Sequence, residues 1–195
     1  MTRRIRTGSR TTGGRALRRV LAIAIVPILA LLAAPRSVSA SGDSEVETRL
    51  KAAYIYNFAR FVEWPARPGP IRISILGQGD LGAPLEQVVR GKVANGRAIE
   101  VTHITSMTDS DCCEILLIER SESKHVREIV QTLAGKPVLT VSDQENGLRD
   151  GVMIAFQLFE ESVRFQVNQE AAEHAGLKIS SQLLKVALPW VGKRQ

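Results

Sequence analysis

The sequence has little of what catalytic, metal-binding and disulfide-rich proteins depend on: two cysteines, three histidines and 5% aromatic residues among 195. Two cysteines cannot make a disulfide-rich scaffold, and no spacing among the cysteines and histidines matches a zinc site. The motifs of a nucleophile elbow, a Walker loop and a zinc protease are also missing. We therefore expect a protein without catalytic residues, metal or cofactor.

The formal net charge of +6 is distributed unevenly along the chain. Seven arginines and no acid precede Val20, an unbroken apolar run follows over residues 20–34, and Val38-Ser39-Ala40 ends the stretch. These are the three parts of a secretory signal peptide, with cleavage expected after Ala40. Because fifteen residues rise only about 22 Å as a helix, against about 30 Å of hydrocarbon, a membrane anchor is disfavoured.

Removal of residues 1–40 leaves 18 basic and 20 acidic residues. The basic charge is thus a targeting signal, and it gives no argument for binding nucleic acid. The remaining residues, 41–195, are of a length that predicts one domain with a sizeable core.

An N-terminal helix is predicted from a capping box, Ser44-x-x-Glu47, and from apolar residues at helical spacing. Pro65 is expected to end this helix. At 100° per residue Asn57 falls inside the apolar stripe, where a polar side chain needs partners, whereas Ile55 and Tyr56 fall outside it. The last two are interpreted either as exposed anchors for a partner or as residues covered by a second layer of the domain. The stripe consists of Val46, Leu50, Ala53, Tyr54, Phe58 and Phe61.

Glycines at positions 77, 79 and 82 follow a β-branched run, Ile71–Leu76, and precede a helical stretch. This G-x-G-x-x-G arrangement is the fingerprint of a dinucleotide site. The next predicted strand, 97–104, should then end in an acid that holds the ribose, but it ends in His103-Ile104. A tight turn from strand to helix is the favoured interpretation of the glycines.

Further strands and helices alternate along the chain, which predicts an α/β fold with a Rossmann-like, largely parallel sheet flanked by helices. A buried strand is expected at 114–118, an amphipathic helix at 126–134 and another strand from Pro137. The last two strands are separated only by Glu160-Glu161, so the sheet is expected to finish in an antiparallel hairpin. Asn168 and Ser180-Ser181 are predicted to open the two helices that follow.

The adjacent pair Cys112-Cys113 leaves two interpretations open. One or both thiols are buried packing residues before the 114–118 strand, or one is exposed and forms a disulfide with another subunit. A disulfide between the two neighbours would be strained, so it is not expected.

Two stretches carry a resemblance to the YfiR-like family of bacterial periplasmic proteins. The first is KAAYIYNFARFVEWP, residues 51–65, and the second is VRFQVNQEAAEHAGLKISSQLLKVA, residues 163–187; IRISILGQGDLG and CEILLI add to it. The similarity covers nearly the whole chain after residue 50.

The resemblance implies a non-enzymatic periplasmic regulator, active in cyclic di-GMP signalling and biofilm control. Such a protein represses an inner-membrane diguanylate cyclase, or another membrane protein such as a sensor kinase, by binding its periplasmic sensor region. Release through an outer-membrane lipoprotein and formation of a homodimer are further implied. Only Cys112 or Cys113 corresponds to a family cysteine, so control through internal disulfides is not expected.

A surface for a partner or a ligand is expected at the two motifs of this resemblance. The alternative function is that of a sensor that binds a small molecule beyond the carboxyl ends of the strands, where residues 77–82 meet the loop at 142–151. The residues expected at the surface are Tyr54, Tyr56, Asn57, Phe58, Trp64, Ser180 and Ser181.

Overall fold

A computed structural model describes residues 41–107, 113–144, 146–190 and 192; the predicted signal peptide and Cys112 lie outside these ranges. The helices are α1 (Ser41–Phe61), α2 (Gly82–Val89), α3 (Val126–Thr132), α4 (Gln169–His174) and α5 (Ser181–Val186). The strands are β1 (Val62–Glu63), β2 (Ile71–Leu76), β3 (Val93–Ala94), β4 (Arg97–Ile104), β5 (Ile115–Ile118), β6 (Leu139–Ser142), β7 (Ile154–Phe159), β8 (Ser162–Val167) and β9 (Lys178–Ile179). Two short 3-10 helices lie at Arg120–Glu122 and Gly147–Asp150. No helix in these ranges is long and apolar enough to cross a membrane.

The main sheet has seven strands in the order β3-β4-β2-β5-β6-β7-β8. The five central strands run parallel, while β3 pairs with β4 and β8 with β7 in the antiparallel sense. This confirms the predicted α/β fold and its terminal hairpin. A separate two-stranded sheet joins β1 to β9.

Both faces of the main sheet are covered, as its continuous runs of buried residues require. Strand β5 is buried at all four positions, and its side chains alternate between two apolar clusters. One cluster includes Ile55 and Phe58 of α1, and the other includes Ile129 of α3. The two apolar clusters thus lie on opposite faces of the sheet, because successive side chains of a strand point to opposite faces.

Helix α1 departs from its prediction at both ends and in the face that it buries. It already includes Ser41, so Ser44 lies inside the helix and does not cap it. Its last residue is Phe61, and the pairing of β1 with β9 takes over before Pro65 is reached. Ile55, which lies outside the predicted apolar stripe, is fully buried, and this agrees with the interpretation that a second layer of the domain covers it. The buried residues of this helix are Lys51, Ala52, Ile55, Phe58 and Ala59.

The two hairpins of the main sheet close with two-residue turns. Glu160 and Glu161, between β7 and β8, have φ of 48° and 60°, which is the left-handed region of a type I′ turn. The β3–β4 turn uses Asn95 and Gly96 with φ of 51° and 76°. The predicted hairpin position is therefore confirmed, although its two glutamates lack the favoured turn chemistry.

Candidate functional site

The two motifs of the resemblance meet in space although 97 residues separate them. Strand β1 follows α1 and pairs with β9, with Val62 opposite Ile179 and Glu63 opposite Lys178. The N–H of Ser180 then donates to the carbonyl of Phe61 at 2.9 Å. The end of α1 is thereby fixed beside the segment that opens α5.

These elements surround a cavity of about 740 Å³ beside the amino ends of strands β2 and β4. We call this cavity the helix-end groove. Three arginines and one glutamate give it a positive balance of charge. Its volume falls in the range of about 300–1,000 Å³ that is typical of ligand pockets. The lining residues are Arg60, Phe61, Val62, Glu63, Trp64, Pro65, Ala66, Arg67, Ile71, Asn95, Arg97, Ser180, Ser181 and Gln182.

Trp64 is held in this groove by the backbone carbonyl of a buried acid, Glu114. Its indole N–H donates to the carbonyl of Glu114 at 3.0 Å. The Glu114 side chain is only 2% exposed, accepts from the N–H of Arg72 at 2.8 Å and pairs with the guanidinium of Arg97 at 2.6 Å. Since a buried carboxylate is stable only when it is paired, the Glu114 side chain fixes Arg97, while the Glu114 carbonyl fixes Trp64.

Tyr56 lies at the margin of the groove, half-buried, with cations on its ring. Its hydroxyl donates to the carbonyl of Val93 at 3.3 Å. The ammonium of Lys92 is 4.5 Å from the ring centroid, and the guanidinium of Arg60 lies 5.7 Å from it. Arg60 also lies 5.2 Å from the ring of Phe61, so its exposed charge is positioned by two aromatic faces.

Tyr54 and Phe58, both expected at the surface, belong instead to an aromatic core under α1. Phe58 is fully buried, and its ring centroid lies 5.1 Å from that of Phe165. Tyr54 is half-buried and also lies 5.1 Å from Phe165. Neither residue lines the helix-end groove. Asn57 is half-buried and also lies outside the groove lining. The buried face of α1 includes Ile55 and leaves Asn57 at its margin.

Ser180 and Ser181 do line the groove, and Ser180 has the structural role that its position predicts. Its hydroxyl oxygen accepts from the N–H of Leu183 at 3.3 Å, which caps α5. Ser181 is exposed. Of the residues predicted from the sequence, Trp64 and both serines thus line the groove. The sequence patterns do not indicate Arg60 of α1 or Arg97 of β4, which also line it.

The alternative ligand site, at the carboxyl ends of β2 and β5, is filled by the chain itself. A methyl group at Gly79 would overlap the carboxylate of Glu119, and one at Gly77 would overlap Ser121. The Glu119 carboxylate accepts from the N–H of Leu81 at 3.3 Å, and the Ser121 hydroxyl oxygen accepts from the N–H of Gln78 at 2.8 Å. The groups that would face a phosphate in a dinucleotide site are therefore occupied. Only about 160 Å³ of space remains there.

Charged side chains fill the same position at the carboxyl ends of the strands. We call Glu47, Lys51, Arg120 and Asp143 the crevice cluster. Lys51 of α1 is only 6% exposed; its ammonium pairs with Asp143 at 2.7 Å and with Glu47. Asp143 also pairs with Arg120 at 2.9 Å. Helix α1 is thus fixed over the crevice in which Rossmann-like proteins commonly bind ligands.

Glu119, at the centre of this region, has a raised pKa. Burial is the main cause, since desolvation disfavours the carboxylate, and the nearby charges of Asp143 and Asp80 raise the pKa further. The N–H of Leu81 and the charge of Arg120 act in the opposite direction but more weakly than burial. Hydrogen bonding and the charge of Asp143 raise the pKa of Arg120, which stays protonated.

Cys113 is fully buried in the cluster around α3, next to β5. This agrees with the packing interpretation and argues against a disulfide from Cys113 to another subunit. Cys112 lies outside the described residues. Within the described ranges, no group of three or more His, Cys, Asp or Glu side chains could hold a metal ion.

The family model described as YfiR/HmsC-like matches residues 48–188. The chain belongs to the YfiR/HmsC-like family. The matched range begins inside α1 and ends just after α5, so it includes both sides of the helix-end groove and all of the crevice cluster except Glu47.

Proposed function

We propose that this family member is a non-enzymatic periplasmic regulator that binds the periplasmic sensor region of an inner-membrane diguanylate cyclase and represses it. Family membership supports the class of protein. The observation that supports the surface is the convergence of both sequence motifs on the helix-end groove, through β1–β9 pairing and the bond from Ser180 to Phe61. Release of the cyclase by transfer to an outer-membrane lipoprotein forms part of the same proposal.

The chemistry of the groove suits a protein segment with an aromatic or apolar residue and an acidic group. Trp64 and Phe61 provide apolar area, and Arg60 provides an exposed charge that aromatic rings hold in place. Aromatic residues and arginine are the types that most often dominate binding energy at protein interfaces. Because the groove is largely preformed by hydrogen bonds and ion pairs, binding requires little ordering of this side of the interface.

Charge reversal at Arg60 tests this proposal directly. The purified protein would be titrated against the periplasmic domains of the diguanylate cyclases encoded in the same genome, by isothermal titration calorimetry. Arg60→Glu is expected to weaken binding at least tenfold and to raise cellular cyclic di-GMP. Arg149→Glu, a change at an exposed residue of the second 3-10 helix that does not line the groove, should leave both unchanged.

Two results would contradict the proposal. One is that no cyclase domain binds the wild-type protein while a sensor kinase domain does, which would keep the groove but replace the partner. The other is that Arg60→Glu and Arg149→Glu bind a cyclase domain equally well, which would remove the groove from the interface.

We do not propose the small-ligand sensor at the carboxyl ends of the strands. Lys51 and Glu119 occupy that position, and a remaining volume of about 160 Å³ is below the size of ordinary ligand pockets.

A further inference from the structure

The end of the β7–β8 hairpin is the most apolar exposed part of the described chain. Leu158 is 67% exposed and Phe159 47%, and as neighbours in a strand they point to opposite faces of the hairpin. Val186, at the end of α5, is 50% exposed, and its carbonyl accepts from Arg164 of β8. Half of the six most exposed large apolar residues thus lie at one corner of the domain.

Strand β8 is the outermost strand at this corner, and the chain covers only its second half. The N–H of Leu188 donates to the carbonyl of Phe165 at 2.8 Å, and the side-chain amide of Gln166 donates to the carbonyl of Pro189 at 2.7 Å. Because backbone groups alternate in direction along a strand, Val163 points its N–H and C=O outwards as Phe165 does. No described residue hydrogen-bonds to those groups of Val163.

The turn at the tip is not the one that best fits its backbone. Both Glu160 and Glu161 adopt the left-handed region, where a side chain costs free energy relative to glycine. The same chain uses Asn95-Gly96 for the equivalent turn between β3 and β4. Turn geometry therefore does not account for two adjacent carboxylates at this tip, and they leave the end of the hairpin negatively charged.

We propose that the hairpin edge, residues 158–163, is a second interaction surface that takes up an extended segment of a partner protein as an added strand. The segment has apolar residues at alternate positions, which reach the ring of Phe159 over the small side chain of Ser162, and a lysine or arginine that pairs with the two glutamates. Addition of a strand uses the outward backbone groups of Val163. A second copy of β8 is a poor occupant, since its only basic residue, Arg164, already donates to Val186.

This surface is independent of the helix-end groove and does not rest on the proposed regulation of a cyclase. It lies on β7 and β8 at one end of the main sheet, whereas the groove is lined by the end of α1, β1, the first residues of β2 and β4, and the start of α5. A protein with both surfaces can hold two different partners or select between them. Substitutions at one surface should leave binding at the other unchanged, which allows each proposal to fail alone.

The test uses a synthetic octapeptide, Lys-Val-Thr-Val-Thr-Val-Thr-Lys, and the protein expressed from its full sequence. We expect the peptide to shift the NMR amide signals of Val163 and Phe165 and to slow their hydrogen exchange. N-methylation of the peptide at alternate residues, on the edge that faces β8, should weaken binding at least tenfold. Replacement of both lysines by glutamate should weaken it to a similar extent.

Protein variants give the matched controls. Glu160→Asn combined with Glu161→Gly keeps the turn but removes the charges, so weaker binding in that variant cannot result from unfolding. Phe159→Lys should also weaken binding at least tenfold, whereas Val46→Lys should not, although both changes replace an exposed apolar side chain with lysine. Arg60→Glu, in the groove, should have no effect on the peptide.

Several outcomes would overturn the proposal. Equal binding of the N-methylated peptide would exclude strand addition, and equal binding of the glutamate peptide would exclude a basic partner. No binding at millimolar peptide would exclude the surface altogether. Sedimentation that shows a dimer lost in Phe159→Lys would assign the surface to a second copy of the chain.

Discussion

The ammonium of Lys51 lies 2.7 Å from the carboxylate of Asp143, across 92 positions of sequence. The contact joins the middle of α1 to the carboxyl end of β6; the Lys51 side chain is 7% exposed and that of Asp143 13%. A buried pair of this kind adds little net stability by itself, but removal of one partner leaves the other charge buried and uncompensated. The pair therefore controls whether α1 can stay over the crevice.

Lys51→Met is expected to lower the free energy of unfolding by about 3 kcal/mol, the lower end for a broken buried pair, because Arg120 remains beside Asp143. Urea unfolding followed by tryptophan fluorescence measures the change. Arg49→Met is the matched control, since Arg49 forms an exposed pair with Glu45 on the same helix. That change should cost less than about 1 kcal/mol. Equal losses in both variants would show that Asp143 does not hold the helix.

Glu119→Gln is expected to change how stability depends on pH. A carboxyl whose pKa is higher in the folded than in the unfolded protein stabilises the fold fully below its unfolded pKa, about 4.5, and that contribution is lost as pH rises through the folded pKa. The uncharged glutamine side chain of the variant does not titrate, so the loss of stability with rising pH disappears. Its carbonyl oxygen can still accept from the N–H of Leu81. The variant should gain stability relative to wild type between pH 4 and pH 8.

Urea unfolding at pH 4, 6 and 8 measures this difference, with Glu173→Gln on exposed α4 as the control. The control difference should stay constant across the same range. If the Glu119→Gln difference is also constant, the Glu119 carboxyl has no raised pKa in the folded protein.

The six longer strands could be predicted from the sequence because each signal is local. In Ile71–Leu76 isoleucine occupies every second position, and the segment forms β2 with those bounds. The hairpin at Glu160-Glu161 follows from the spacing of two strand patterns. Alternation of such strands with helices then fixes a largely parallel sheet, without any knowledge of distant contacts.

The buried face of α1 could not be predicted in the same way. Lys51 is buried because Asp143 lies above it, and nothing near Lys51 in sequence indicates that partner. The helix-end groove was only half predictable for a related reason. Trp64 and Ser180 belong to recognisable motifs, but β1 and β9 have two residues each, too few for a periodic pattern.

Glu160→Asn combined with Glu161→Gly should stabilise the protein by about 1 kcal/mol, because these residues adopt the left-handed region more readily than glutamate does. The reverse exchange, Asn95→Glu with Gly96→Glu, should destabilise the β3–β4 turn. Thermal unfolding by circular dichroism measures both. A double variant at 160–161 that is no more stable than wild type would mean that the acidic turn carries no strain.

Cys113 is expected to resist alkylation in the folded protein, because its side chain has no exposed surface. Iodoacetamide labelling followed by peptide mass spectrometry, with and without urea, measures the two rates. Any dimer seen on non-reducing gels should disappear in Cys112→Ser and persist in Cys113→Ser. Rapid labelling of Cys113 without urea would contradict the buried position.

Export should remove the arginine-rich leader after Ala40, so that the protein isolated from the periplasm begins at Ser41. Intact-mass spectrometry measures the N-terminus, and isoelectric focusing measures the change in charge, since the chain loses eight arginines and no acids. Ala40→Trp should block cleavage, because the protease requires a small residue at that position. A periplasmic protein that keeps residues before Ser41, with a basic isoelectric point, would contradict a cleaved leader.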